Sequence, residues 1–130
     1  MKDWAALPIR LGLGMVFIAH GLQKAFGLFD GSGITGFAEM LKGLGFPLPG
    51  MLAYAVAYIE FIGGIFLVLG LFTRGTAFVL ALVMLVAMAK VHLENGFFLS
   101  AGGYEYTLVI VCSLLSLLSW GGGNLSFDKK

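Results

Sequence analysis

Charge is scarce in this sequence. Asp, Glu, Lys and Arg make up 12% of its 130 residues, about half the share of an ordinary soluble protein. The net charge is +1, which gives no electrostatic case for nucleic acid as a partner. Cysteine is almost missing: Cys112 stands alone. A single cysteine excludes an internal disulfide. Without a CxxC pair there is neither dithiol chemistry nor a thiolate metal site, and no metal is expected. Cys112 lies in an apolar run and reads as a small buried apolar residue. A flavin-binding motif is also missing.

What remains is apolar. Hydrophobic residues reach 59%, against about 45–50% in soluble proteins, and the mean hydropathy is +0.97. A soluble domain this small has no core large enough to hide that much apolar surface. The composition therefore points to a membrane protein. Four apolar segments stand out, residues 4–26, 51–72, 76–93 and 104–120. Each is near the roughly 20 residues that a helix needs to cross a bilayer core. The expected fold is all-α: a four-transmembrane-helix bundle forming one domain over residues 1–130. Arg10 interrupts what would be the apolar region of a signal peptide, and three more segments follow, so the first segment reads as an uncleaved transmembrane helix.

The longest connection joins the first two segments. Within it, "ITGFAEMLKGLGF" sets Ile34, Phe37, Ala38, Leu41 and Leu44 at helical spacing. A short amphipathic helix over residues 34–45, lying at the interface, is expected. Pro47 and Pro49 end it. The Gly-rich "ENGFFLSAGG" belongs at headgroup level, and the polar "GGGNLSFDKK" reads as a tail with a mobile end.

Short connections make neighbouring helices antiparallel, so four spans place both termini on one side. That side carries Lys2, Arg74, Lys129 and Lys130; the other carries Lys24, Lys42 and Lys90. The positive-inside rule then puts both termini in the cytoplasm, with the protein multi-pass in the plasma (inner) membrane. Trp4 and Trp120 belong to one aromatic belt. Lipid is as apolar as leucine, so close approach rests on small residues. Gly14 and Gly21, Gly63, Gly64 and Gly70, Ala77 and Ala81, and Ser113, Ser116 and Ser119 are read as packing positions. The serine hydroxyls have partners within or across helices.

The polar residues carry the functional argument. Placed at 1.5 Å per residue, His20, Lys24, Glu60, Lys90, His92 and Glu105 come from all four helices yet share the outer half of the membrane. Arg10, Gly14, Phe17, Gly21 and Lys24 fall on one stripe of the first helix, with His20 at its border. Lys24, Lys90, Glu94 and Glu105 stand near helix ends, where snorkelling makes charge cheap, and read first as anchors. His20 reads first as a hydrogen-bonded core histidine. Glu60 stands between Ile59 and Phe61, where a charge costs about 2.5–3.5 kcal/mol on insertion scales. It needs a cation or a proton. A buried network of Arg10, His20 and Glu60 is expected. With His92 these form a candidate ligand and proton pocket, rimmed by Lys24, Lys90 and Glu105. Tyr54, Tyr58, Tyr104 and Tyr106 offer hydroxyls to the same half, or serve as belt residues.

With these residues assembled, the chain resembles the DoxX family of small four-helix membrane proteins. The resemblance rests on "RLGLGMVFIAHGLQK", "EFIGGIFLVLGLFTR", "AMAKVHLENGFF", "EYTLVIV" and "SWGGGNLSFD". It implies a membrane protein associated with redox systems: founding members are a subunit of a thiosulfate:quinone oxidoreductase, and others are linked to oxidative-stress complexes. Three functions follow as expectations. The first is a redox-associated subunit, at most part of a quinone-linked oxidoreductase, with a pocket for a quinone or similar small apolar molecule. Its electrons then come from a protein partner. The second is a non-enzymatic scaffold or small carrier, binding a partner through the 34–45 helix, with a homodimer as one form. The third is a b-type haem protein with His20 and His92 as axial ligands.

Overall fold

The computed structural model describes residues 4–128. Lys2, Lys129 and Lys130, used above for orientation, lie outside the described residues. Five α-helices appear in chain order: α1 (Ala6–Phe26), α2 (Gly33–Gly43), α3 (Pro49–Leu69), α4 (Thr73–Ala87) and α5 (Glu105–Trp120). No strand occurs among the described residues. A π-helical turn (Met88–His92) and a 3₁₀ turn (Leu93–Asn95) extend α4. Among the described residues three helices are long and apolar enough to cross a membrane: Ala6–Phe26, Pro49–Leu69 and Thr73–Asn95. The apolar helix α5 is shorter, at 16 residues.

Punctuation residues set the ends. Gly27 caps α1 in the left-handed conformation, its N–H donating to Gln23 O. Pro49 opens α3 at the first turn, where its missing N–H costs nothing. Gly70 closes α3 at φ 73°, and Leu71 N–H reaches back to Phe66 O. That is a Schellman end, and it takes Leu71 and Phe72 out of the apolar segment expected to be helical through 72.

The bundle is centred on α1 against α3. Glycine lets these two backbones touch: a Cβ on Gly64 would stand 2.8 Å from Gly14 O and 2.7 Å from Ile18 N. A Cβ on Gly21 would meet the Phe61 backbone at 2.6 Å. As the α1 number rises the α3 number falls, so the pair is antiparallel. The chain then returns through α4, which packs on α5 and α3. Phe17, Leu67, Leu80, Leu114 and Leu117 form the main core. A second cluster of Phe37, Leu41 and Ala53 seats α2 on α3.

One sequence expectation is corrected. Cys112 is exposed on α5, not buried, because the α5 residues facing α4 and α1 are its neighbours Val111 and Leu114. Of the two expected modes for the serine hydroxyls, Ser113 and Ser119 take the one within their own helix, donating to Val109 O and Leu115 O. The tail is hydrogen-bonded as far as Asp128, where Phe127 and Asp128 N–H donate to Leu69 O and Gly70 O; the end expected to be mobile lies outside the described residues.

Candidate functional site

Antiparallel pairing decides which charges meet. It sets Lys24, near the end of α1, level with Glu60, eleven residues into α3. Lys24 Nζ donates to Glu60 Oε2 at 2.6 Å. Glu60 is 2% exposed and the Lys24 side chain 26%. The carboxylate is thus sealed in the bundle, and the ammonium spans from it towards the surface. Phe37 of α2 closes the pair from above, its ring centroid 4.9 Å from Nζ. Phe37 is itself buried. Phe37 is therefore the cover of an ion pair, while the apolar face of α2 packs on α3.

His20 stands one turn below Lys24 on α1, within electrostatic range of both Lys24 and Glu60. Its ring lies 6.5 Å from that of Tyr106 on α5. Four helices thus contribute to one level: α1 with His20 and Lys24, α2 with Phe37, α3 with Glu60, and α5 with Tyr106. Chemically this is an ammonium, a carboxylate, an imidazole and a phenol in apolar surroundings. Such a set can donate to or accept from a polar ligand head and relay protons.

Of the expected network of Arg10, His20 and Glu60, Arg10 stands apart from the other two. Arg10 lies ten residues before His20, about 15 Å along the axis. At that level stands Gly70, the C-terminal cap of α3: a Cβ there would stand 2.6 Å from Arg10 Nη1. Fully buried, Arg10 donates through Nη1 to Gly122 O at 3.0 Å and through Nη2 to Leu125 O at 2.8 Å. Lys24, expected at the rim, is the partner of Glu60 instead. His92 lies in the π-turn, with Nδ1 3.1 Å from Gly102 O. Lys90 is exposed, its Nζ 6.0 Å from the Phe46 ring. Glu105 Oε1 accepts from Leu99 N–H at 2.8 Å, which ties down the loop before α5. These three order the connections rather than join the ion pair.

Sequence reasoning missed Phe37 as the cover and Asp128 as a partner. Phe37 was visible as part of an apolar stripe, but nothing in a stripe says that a cation lies under it. Asp128 Oδ2 accepts from Thr73 N–H at 3.0 Å, a contact across 55 residues with no local signal. Among the described residues no cluster of three or more His, Cys, Asp or Glu is placed to hold a metal.

Long apolar helices joined by close glycine contacts, with ionic side chains turned inward, define a small integral membrane protein. The DoxX family model matches residues 5–93, from the start of α1 into the 3₁₀ turn that extends α4, and the chain belongs to that family. It is similar to an uncharacterised protein of Haemophilus influenzae, 31% identical over 135 residues, covering 98% of this chain and 89% of the relative. It is also similar to a Bacillus subtilis protein named "Putative oxidoreductase CatD", 30% identical over 122 residues, covering 94% of this chain and 83% of that protein. No solved structure matches.

Proposed function

We propose that this protein is a membrane subunit of a redox system that holds a quinone, or a similar small apolar molecule, beside the Lys24–Glu60 pair. The observation that carries the reading is Glu60, 2% exposed and paired at 2.6 Å, with His20 and Tyr106 at the same level. Interhelical polar contacts in membranes average only about 0.6 kcal/mol, so stability alone is a poor reason to keep a carboxylate there. A quinone carbonyl accepts from the ammonium, imidazole or phenol. Its reduction to a quinol takes two electrons and two protons. The protons pass through His20 and the ion pair; the electrons come from a partner protein. The printed name of the Bacillus subtilis relative supports the redox association.

In this reading α5 is a fourth span. Its 16 residues reach about 24 Å, short of a core of about 30 Å. The ordered loop before it, with Phe97 packed edge-on against Phe98 and Tyr104, makes up the difference. α2 lies at the outer interface of the plasma membrane, and both chain ends face the cytoplasm. His92, Lys90 and Glu105 shape the outer mouth of the site.

One observation favours the scaffold as a second reading: Lys24 and Glu60 satisfy each other, and Arg10 Nη1 and Nη2 donate to carbonyls of the tail. The test is native mass spectrometry with an absorption spectrum on gently extracted protein. A bound quinone-like mass that is lost in Glu60→Gln or His20→Ala supports the ligand site. A Soret band would replace the quinone with haem. An empty, colourless protein that copurifies with a partner would establish the scaffold.

A further inference from the structure

Among the described residues two charged side chains are buried, Arg10 and Glu60, and they are neutralised in different ways. Glu60 and Lys24 both stand on helices locked by glycine contacts. The groups around Arg10 stand on the segment after α5. Gly122 and Leu125 offer it carbonyls, and Asp128 is the carboxylate within its electrostatic range. The Asp128 carboxylate also accepts from Thr73 N–H in the first turn of α4. There the unpaired N–H groups and the helix dipole favour an anion.

Further atoms at this end point to an oxyanion. Arg10 Nε and Thr73 Oγ1 are buried and have no hydrogen-bond partner among the described residues. Their side chains are 0% and 1% exposed. Buried donors are nearly always matched, so unmatched ones mark a site that takes more acceptor oxygens than Asp128 supplies. Arg74 is exposed nearby, its Nη2 3.4 Å from Trp120 O, and adds a second guanidinium at the mouth.

The segment that brings the carboxylate is anchored by hydrogen bonds, to Leu69 O and Gly70 O through Phe127 and Asp128 N–H and to Arg10 through Gly122 O and Leu125 O. Gly121 and Gly123 at its root have φ of 89° and 69°. Leu125 holds φ 51°, a strained conformation for a residue with a Cβ. Leu125 and Phe127 are 71% and 70% exposed, so polar contacts hold this segment and apolar burial does not.

We propose that Arg10 and the start of α4, with the Thr73 N–H and hydroxyl, form an oxyanion-binding site whose internal ligand is Asp128. A phosphate or carboxylate oxyanion from outside the chain competes with residues 121–128 for it. Binding then frees the strap from the α3–α4 turn. The site lies at the opposite end of α1 from the Lys24–Glu60 pair and does not depend on the reading given for that pair.

The test is hydrogen exchange of residues 121–128 in the full chain, in nanodiscs of phosphatidylcholine. Inorganic phosphate is compared with chloride at equal ionic strength, and phosphatidylglycerol nanodiscs form a third arm. Asp128→Asn should speed exchange at residues 127 and 128 about tenfold, the loss of one charge-assisted hydrogen bond. In the unaltered chain, phosphate or phosphatidylglycerol should speed it severalfold where chloride does not. Thr73→Val, which keeps the backbone donor, should blunt that response. A response to free phosphate identifies a soluble ligand; a response to phosphatidylglycerol alone identifies a lipid headgroup. Exchange unmoved by both overturns the proposal, even if Asp128→Asn loosens the strap.

Discussion

Removing either partner of the Lys24–Glu60 pair should cost different amounts, and the structure says which costs more. Lys24→Met leaves a carboxylate that is 98% buried without its cation. Orphaning one member of a buried pair costs about 3–5 kcal/mol. Glu60→Gln leaves an ammonium whose side chain is 26% exposed. That residue is two positions from the helix end, and its amine can extend towards the headgroups. The loss is then near that of one charged hydrogen bond, about 1.5–3 kcal/mol. The double variant removes both charges and should be less destabilised than the sum, by about 1–2 kcal/mol. The assay is reversible unfolding in mixed micelles, followed by circular dichroism, for the four proteins of the cycle. Glu60→Gln proving the more damaging change, or additivity across the cycle, would refute the assignment of the pair and of its burial.

The remaining expectations rest on separate contacts. Gly64→Ala should destabilise by about 1–3 kcal/mol, because its Cβ meets the α1 backbone. Gly12→Ala, whose Cβ meets nothing within 4 Å among the described residues, should be neutral or gain up to about 1 kcal/mol of helix propensity; equal effects in the same unfolding assay would contradict the close α1–α3 contact. Phe37→Ala should cost about 3 kcal/mol and raise acylation of the Lys24 amine, read by peptide mass spectrometry. Unchanged labelling would remove Phe37 as the cover. Cys112, exposed on α5, should resist maleimide in intact membranes, where lipid keeps its thiol protonated, and react once the protein is denatured in dodecyl sulfate. Equal labelling in the two states would place α5 outside the bilayer.

Much of this molecule is legible along the chain. Each apolar run maps to a helix because hydropathy over some twenty residues is a local sum, and Gly27, Pro49 and Gly70 act through their own backbone angles. The stripe Arg10, Gly14, Phe17, Gly21 and Lys24 faces inward because its spacing is the helical repeat. Glu60 was recognisable as a residue in need of a partner because burial of a carboxylate has a large cost wherever it occurs.

Partner choice is another matter. Arg10 and Lys24 lie on the same stripe, and either satisfies a carboxylate on paper. The vertical register of α1 against α3 decides between them, and that register is set where Gly14 meets Gly64 and Gly21 meets Phe61. Residue spacing within one helix carries no information about its offset from another. Asp128 at the start of α4, and Phe37 above Lys24, are likewise contacts between segments distant in sequence. The sequence alone thus determined the medium, the helices and which side chains were too costly to leave unpaired. Only the tertiary structure decided the pairs, because a buried charge specifies that a partner exists and the offset of packed helices specifies which one is in reach.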